Sequence, residues 1–157
     1  MSRAIEAAIS VIKPFEGCKL TAYLCPAAVW TIGYGSTRYE DGSRVKRGDT
    51  ITPLRAETLL VHTVTEFDNG VRRLVKSAIN DNQRGALISF AFNVGLDIDA
   101  DFIAEGLGDS TLLKLVNANP NDPRIRAEFM KWNKADGKVL NGLTRRRQAE
   151  ADLYFKR

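Results

Sequence analysis

Histidine occurs once in the 157 residues, at His62, and cysteine only twice, at Cys18 and Cys25. That scarcity excludes a paired-cysteine zinc site, and the chain also lacks a P-loop and a Rossmann glycine fingerprint. No cofactor and no metal are expected. A Cys18–Cys25 disulfide is excluded as well, because KLTAYL between them reads as extended chain. At ~3.3 Å per residue the two α-carbons lie roughly 20 Å apart, and a disulfide tolerates about 7 Å. Two free thiols fit a reducing compartment. A long apolar run is missing too. The N-terminal stretch MSRAIEAAISVIKPFEG is broken by Glu6 and Lys13, so it reads as neither a membrane span nor a signal peptide. No internal repeat or low-complexity segment appears.

What is present is an ordinary globular composition, 44% hydrophobic and 27% charged, of a length that suits one domain of two lobes over residues 1–157. The net charge of +4 and pI of about 9.2 suit an anionic partner: nucleic acid, a membrane surface or an acidic cell-wall polymer. Ile5, Ala8, Ile9 and Ile12 form one face of a helix that ends or bends near Pro14, with Glu16 in or just past its last turn. KLTAYL alternates as a half-buried strand, Pro26-Ala27-Ala28 turns, VWTIGYG returns as a second strand, and Asp41-Gly42 marks a further hairpin turn.

Thr52-Pro53 starts a helix of about 25 residues, long enough to link two lobes. Asn80 to Gln83 resembles a capping box, and Gly95 closes that helix. Ser110 caps TLLKLVN, Asp122-Pro123 starts another helix, ADGKVLNGL turns, and TRRRQAEADLYF ends the chain as a helix. The predicted class is α+β: a small antiparallel sheet lobe at about 15–52, with 1–14 and 53–157 mostly helical.

Several side chains admit two readings. Glu16 is either a solvated acid or a general acid, since a carboxylate at a helix C-terminus opposes the dipole and desolvation beside Phe15 favours its protonated form. Cys25 is either a buried hydrophobe or a reactive group at a strand end, and His62 reads as a surface residue rather than its base. Thr31 is by default a structural β-branched residue. Asp97, Asp99 and Asp101 alternate as calcium ligands do, but the glycine and terminal glutamate of an EF-hand loop are missing, so they read as a solvated acidic loop. Arg145, Arg146 and Arg147 point in three directions on a helix and make no nucleic-acid stripe.

Glu16, eight residues, Cys25, five residues, Thr31 resembles the catalytic signature of the phage-type lysozymes, the endolysins of glycoside hydrolase family 24. FEGCKLTAYLCPAAVWTIGYGST is similar to that family's N-terminal lobe. SFAFNVG, STLLKLVN and FMKWNKADGKVLNGLTRRRQAE are similar to its later landmarks, so the resemblance covers essentially the whole chain. It implies a lysozyme-like fold with the glycan in a cleft between two lobes. It also implies cleavage of the β-1,4 bond between N-acetylmuramic acid and N-acetylglucosamine in peptidoglycan. Glu16 is then the general acid, and Cys25 and Thr31 position the attacking water. By position in the matched blocks, Thr37, Phe92 and Ser110 contact substrate, and an arginine of the triple run pairs with Glu16.

Departures from the family are Cys25, where many relatives carry aspartate, Ser36 in place of a frequent histidine, and the acidic loop 96–109. The thiol is read as a stabilised thiolate, as a group that orients water, or as a covalent nucleophile. The resemblance further implies a monomer acting on peptidoglycan glycan strands, with no nucleic-acid partner and no stable membrane insertion. It implies accumulation in the host cytoplasm, release through a holin pore and action on the cell wall at the end of a phage cycle. The alternative is a catalytically weak peptidoglycan-binding protein of the same fold.

Overall fold

The computed structural model describes residues 1–98 and 105–157. Its first helix, α1 (Arg3–Phe15), is capped by Ser2, whose hydroxyl accepts from the Ile5 amide at 3.3 Å, and buries Ala4, Ile5, Ala8 and Ile12. Pro14 lies inside the last turn. The helix ends one residue later, and Glu16, just past its last turn as expected, leaves helical geometry at φ −104°, ψ 124°.

Strands β1 (Lys19–Leu24) and β2 (Trp30–Gly33) pair antiparallel, with Tyr23 opposite Thr31 and Leu24 opposite Trp30. Residues 49–51 flank the other edge of β1: the Ala22 amide donates to the Asp49 carbonyl at 2.9 Å, and the Ile51 amide to the Leu20 carbonyl at 2.9 Å. The half-buried alternation expected of β1 is absent. Leu20 is 37% exposed and Leu24 53%. The cause is the thinness of this lobe. Among the described residues its core is three side chains, Ile32, Val45 and Leu59, and of β1 only Ala22 reaches them.

Helix α2 (Pro53–Leu74) starts at Thr52, whose hydroxyl accepts from the Arg55 amide. At 22 residues it is about 33 Å long. It gives Leu59 to the sheet-lobe cluster and Leu60, Val64 and Val71 to the main one, so one rigid element serves both cores. Helix α3 (Asp81–Val94) carries the expected capping box: the Asn80 side chain accepts from the Gln83 amide at 2.8 Å, and the Gln83 side chain accepts from the Asn80 amide at 2.9 Å. Residues Gly85 to Ala91 are all buried, which makes α3 the central helix. Gly85 is required there: a β-carbon on it would lie 2.9 Å from the Ala4 carbonyl oxygen and 2.9 Å from the Ala7 β-carbon. The α1–α3 crossing is that close.

Helices α4 (Thr111–Ala118), α5 (Ile125–Met130) and α6 (Asn141–Tyr154) complete the helical lobe. Phe90 makes edge contacts to Phe129 and Trp132, and Phe129 to Tyr154. The segment read as a plain turn is a hairpin of β3 (Lys134–Ala135) and β4 (Lys138–Val139). Asp136 and Gly137 both have positive φ, 50° and 75°, as a two-residue loop between twisted strands demands. Asp99 and Asp101 of the acidic stretch lie outside the described residues.

Candidate active site

Glu16 is the C-cap of α1, its amide bonded to the Ile12 carbonyl at 3.0 Å. A carboxylate there faces the negative end of the helix dipole. Arg146 from α6 compensates: its Nη1 donates to Glu16 Oε1 at 2.9 Å. This arginine side chain is only 4% exposed, whereas the Glu16 side chain is 26% exposed. The guanidinium is thus a fixed anchor and the carboxyl its accessible end. The second oxygen is free of that contact and faces Gly35, where an added β-carbon would sit 3.8 Å from Oε2. Gly35, at φ 97°, thus lies in front of the acid in a backbone conformation that favours glycine.

Arg146 is the member of the triple run that meets Glu16. Arg147 is also buried and Arg145 is exposed, so the three diverge as helical spacing requires. Behind Glu16 lies a buried polar cluster. Glu150 Oε1 accepts from Arg146 Nε at 3.3 Å, from Arg147 Nη2 at 3.2 Å and from the Ser89 hydroxyl at 2.8 Å. Arg147 Nη2 also reaches Asn93 Oδ1 at 2.8 Å. Burial pushes the Glu150 carboxyl up and the Arg147 guanidinium down. Each is nevertheless the other's counter-charge, and an oxygen that accepts from three donors is a carboxylate oxygen.

Cys25 and Thr31 lie where β1 turns into β2. The Cys25 amide donates to the Val29 carbonyl at 3.0 Å, and the Ala28 amide donates to the Cys25 carbonyl at 2.8 Å, with Ala28 at φ 59°. This tight turn folds backbone around the sulfur. Hydrogen bonding from the Val29 backbone holds the Cys25 thiol below its ordinary value. Desolvation opposes it, while the Ala27 backbone and the Thr31 hydroxyl act in the same direction as Val29. Thr31 is buried at 4% exposure, and its hydroxyl donates to the Val29 carbonyl at 3.0 Å. Its oxygen keeps lone pairs to accept a further hydrogen bond.

A groove of about 340 Å³ continues from Gly35 between the sheet lobe and α2, lined among others by Thr37, Glu40, His62, Glu66 and Phe92. Thr37 is exposed on its wall, and Phe92 stacks obliquely on Phe67 at 5.5 Å. His62 is half-buried in the groove, 3.5 Å from Glu66. Ser110 stands differently. It is fully buried, donating to the Leu107 carbonyl at 2.7 Å and accepting from the Leu113 amide at 3.0 Å. It is the N-cap of α4 and offers no exposed atom for the substrate contact expected of it. Sequence reasoning missed Ser89 and Glu150. Glu150 had a signal, its i+3 and i+4 spacing from the two arginines on one helix.

A family model described as Phage lysozyme matches residues 13–150. An endolysin of Bacillus phage B103 is 42% identical over 152 residues, covering 96% of this chain and 53% of its own length. An endolysin of Acyrthosiphon pisum secondary endosymbiont phage 1 is 37% identical over 153 residues, with 95% of both chains covered. The chain thus spans about half the length of the first relative and nearly all of the second. Among solved structures, an endolysin from Escherichia coli O157:H7 phage FAHEc1 matches with a TM-score of 0.79 at 34% identity, over 99% of this chain and 92% of that one. This chain belongs to the phage lysozyme family.

Proposed function

We propose that residues 1–157 form one lysozyme domain that hydrolyses the β-1,4 bond between N-acetylmuramic acid and N-acetylglucosamine in peptidoglycan. The observation that carries this is the carboxyl of Glu16, anchored through one oxygen by buried Arg146 and open through the other beside Gly35, in a chain of this family. The proton on the open oxygen goes to the glycosidic oxygen as the bond to the anomeric carbon breaks. A water attacks that carbon from the opposite face, held by the Thr31 oxygen and the Cys25 sulfur. The downward shift of the Cys25 thiol supports the thiolate reading, in which the sulfur takes the proton of the water. Thr37 and Phe92 line the groove that would hold the neighbouring sugars.

The physiological reading is host-cell lysis at the end of a phage cycle, by a monomer that accumulates in the host cytoplasm and reaches the wall through a holin pore. Among the described residues no helix is long and apolar enough to cross a membrane. Coexpression with and without a holin tests the route: lysis timed by the holin supports it, and holin-independent lysis overturns it.

The reaction is tested by digesting purified peptidoglycan and analysing the products by mass spectrometry. Reducing muramic acid ends are expected. Glu16→Gln should lose about 10²–10⁴-fold in rate while remaining folded. Anhydro-muramic ends would mean a transglycosylase. Binding without new reducing ends would mean a peptidoglycan-binding protein, and full activity in Glu16→Gln would remove the acid from this position.

A further inference from the structure

Glu150 is a fully buried carboxylate that the reaction above does not use. We propose that Glu150 is a positioning residue for Glu16, holding the Arg146 guanidinium on the acid and balancing the charge there so that Glu16 can carry its proton. The inference rests on Glu16 being the general acid.

The geometry gives Arg146 three anchors: Glu16 Oε1 at 2.9 Å, Glu150 Oε1 at 3.3 Å and the Ser89 carbonyl at 3.4 Å. Two of them lie on the side away from the cleft and fix the direction in which Nη1 points. Charge balance acts separately from this aim. Arg146 and Arg147 are adjacent buried cations, and Glu16 and Glu150 are two anions, so the set is neutral when both carboxyls are ionised. Once Glu16 takes the proton that an acid must carry, the set holds one net positive charge. Without the Glu150 carboxylate it would hold two, in surroundings of low dielectric where that is costly. Glu150 thereby favours the protonated form of Glu16 across one guanidinium.

Among the described residues, the charged groups acting on Glu150 are Arg146 and Arg147 of its own helix, with Glu16 reached through the first. From α3 it meets the Ser89 hydroxyl, with Asn93 beyond Arg147. Helix α5 meets α6 through the Phe129–Tyr154 ring contact and the exposed pair Arg126–Asp152.

The test is the pH profile of kcat and KM on soluble peptidoglycan fragments, with Glu16→Gln as reference. A general acid works only while protonated, so activity falls on the alkaline side. In Glu150→Gln that alkaline limb should move down by about one pH unit, with kcat carrying the change and KM unaltered. Glu150→Asp keeps the charge and should keep the wild-type limb, whatever its kcat. Arg147→Gln should move the limb up, and the double replacement should bring it back. These last two also decide the matter if Glu150→Gln alone does not fold, because removing both members of a buried pair is better tolerated than removing one. An unshifted limb in Glu150→Gln, or in Arg147→Gln if the former is unfolded, overturns the inference. So does a limb in Glu150→Asp displaced as far as in Glu150→Gln. If Glu16→Gln is inactive and the limbs do not move, only the role of Glu150 fails. If Glu16→Gln is fully active, the acid assignment fails first.

Discussion

A thiol at position 25 changes which pH the site is suited to. A carboxylate there is ionised throughout the neutral range, whereas a thiol reaches its anion only when its surroundings favour it. The turn around Cys25 supplies such surroundings, since the Val29 and Ala27 backbone and the Thr31 hydroxyl all lower its titration. A base must be deprotonated, so the rate falls as pH falls through its titration. Cys25→Asp should therefore stay active and extend the acid limb of the rate profile downward. Cys25→Ala should lose about 10²-fold or more, and alanine activity equal to wild type would leave the sulfur no part in catalysis. Inactivation by an alkylating agent should follow the label on Cys25 rather than on the exposed Cys18, which peptide mass mapping reads directly. The spacing of Glu16, Cys25 and Thr31 was legible because local chain carries all three. That Glu150 stands behind Glu16 was not, because the link runs through Arg146 and across to Ser89 on another helix.

At the scale of elements, the close crossing of α1 and α3 bears on the site, because the end of α1 carries Glu16. Alanine at position 85 would gain up to about 1 kcal/mol in helix propensity. Its β-carbon meets backbone oxygen of Ala4 at 2.9 Å, an atom that moves only with the whole of α1. Gly85→Ala should therefore destabilise by about 1–3 kcal/mol, measured as a fall in melting temperature. A parallel loss of kcat should appear as Glu16 is displaced. Unchanged stability would mean that the crossing relaxes freely. Element ends were readable wherever a side chain closes the helix on its own backbone, as Thr52, Asn80 with Gln83, and Ser110 do. The β3–β4 hairpin was hidden because two-residue strands have no alternation to read. The strand β1 misled because alternation signals a buried face only when something exists to cover it.

Among the described residues two hydrophobic clusters share one long helix, and polar ties hold loops to it. One tie is the bidentate pair of Arg55 at the start of α2 with Glu40 in the loop beyond β2. The Arg55 hydrogen bonds hold the Glu40 carboxyl down at about 2, against 4.5 ordinarily. A depressed acid stabilises the fold fully above its unfolded value and loses that contribution as pH falls through its folded one. The pair is partly exposed, so its worth is at most about 1 kcal/mol. Glu40→Gln should lower stability by that amount at neutral pH, and the difference from wild type should shrink between pH 4.5 and about 2. Denaturant titrations at several pH values measure this, and a difference constant with pH would deny the ion pair its role.

Local chain sufficed for much of this protein. Helix starts come from capping hydroxyls, turns from glycine and proline, and the Glu16, Cys25 and Thr31 spacing from one short hairpin segment, since each depends on residues a few positions apart. Three features needed the assembled fold: which of three consecutive arginines meets Glu16, that Ser110 is consumed by its own helix, and that Glu150 stands behind the acid. Burial and ion pairing depend on what lies across the packed interior. The Glu16–Arg146 contact spans 130 positions in sequence, and no local pattern encodes a contact over that distance.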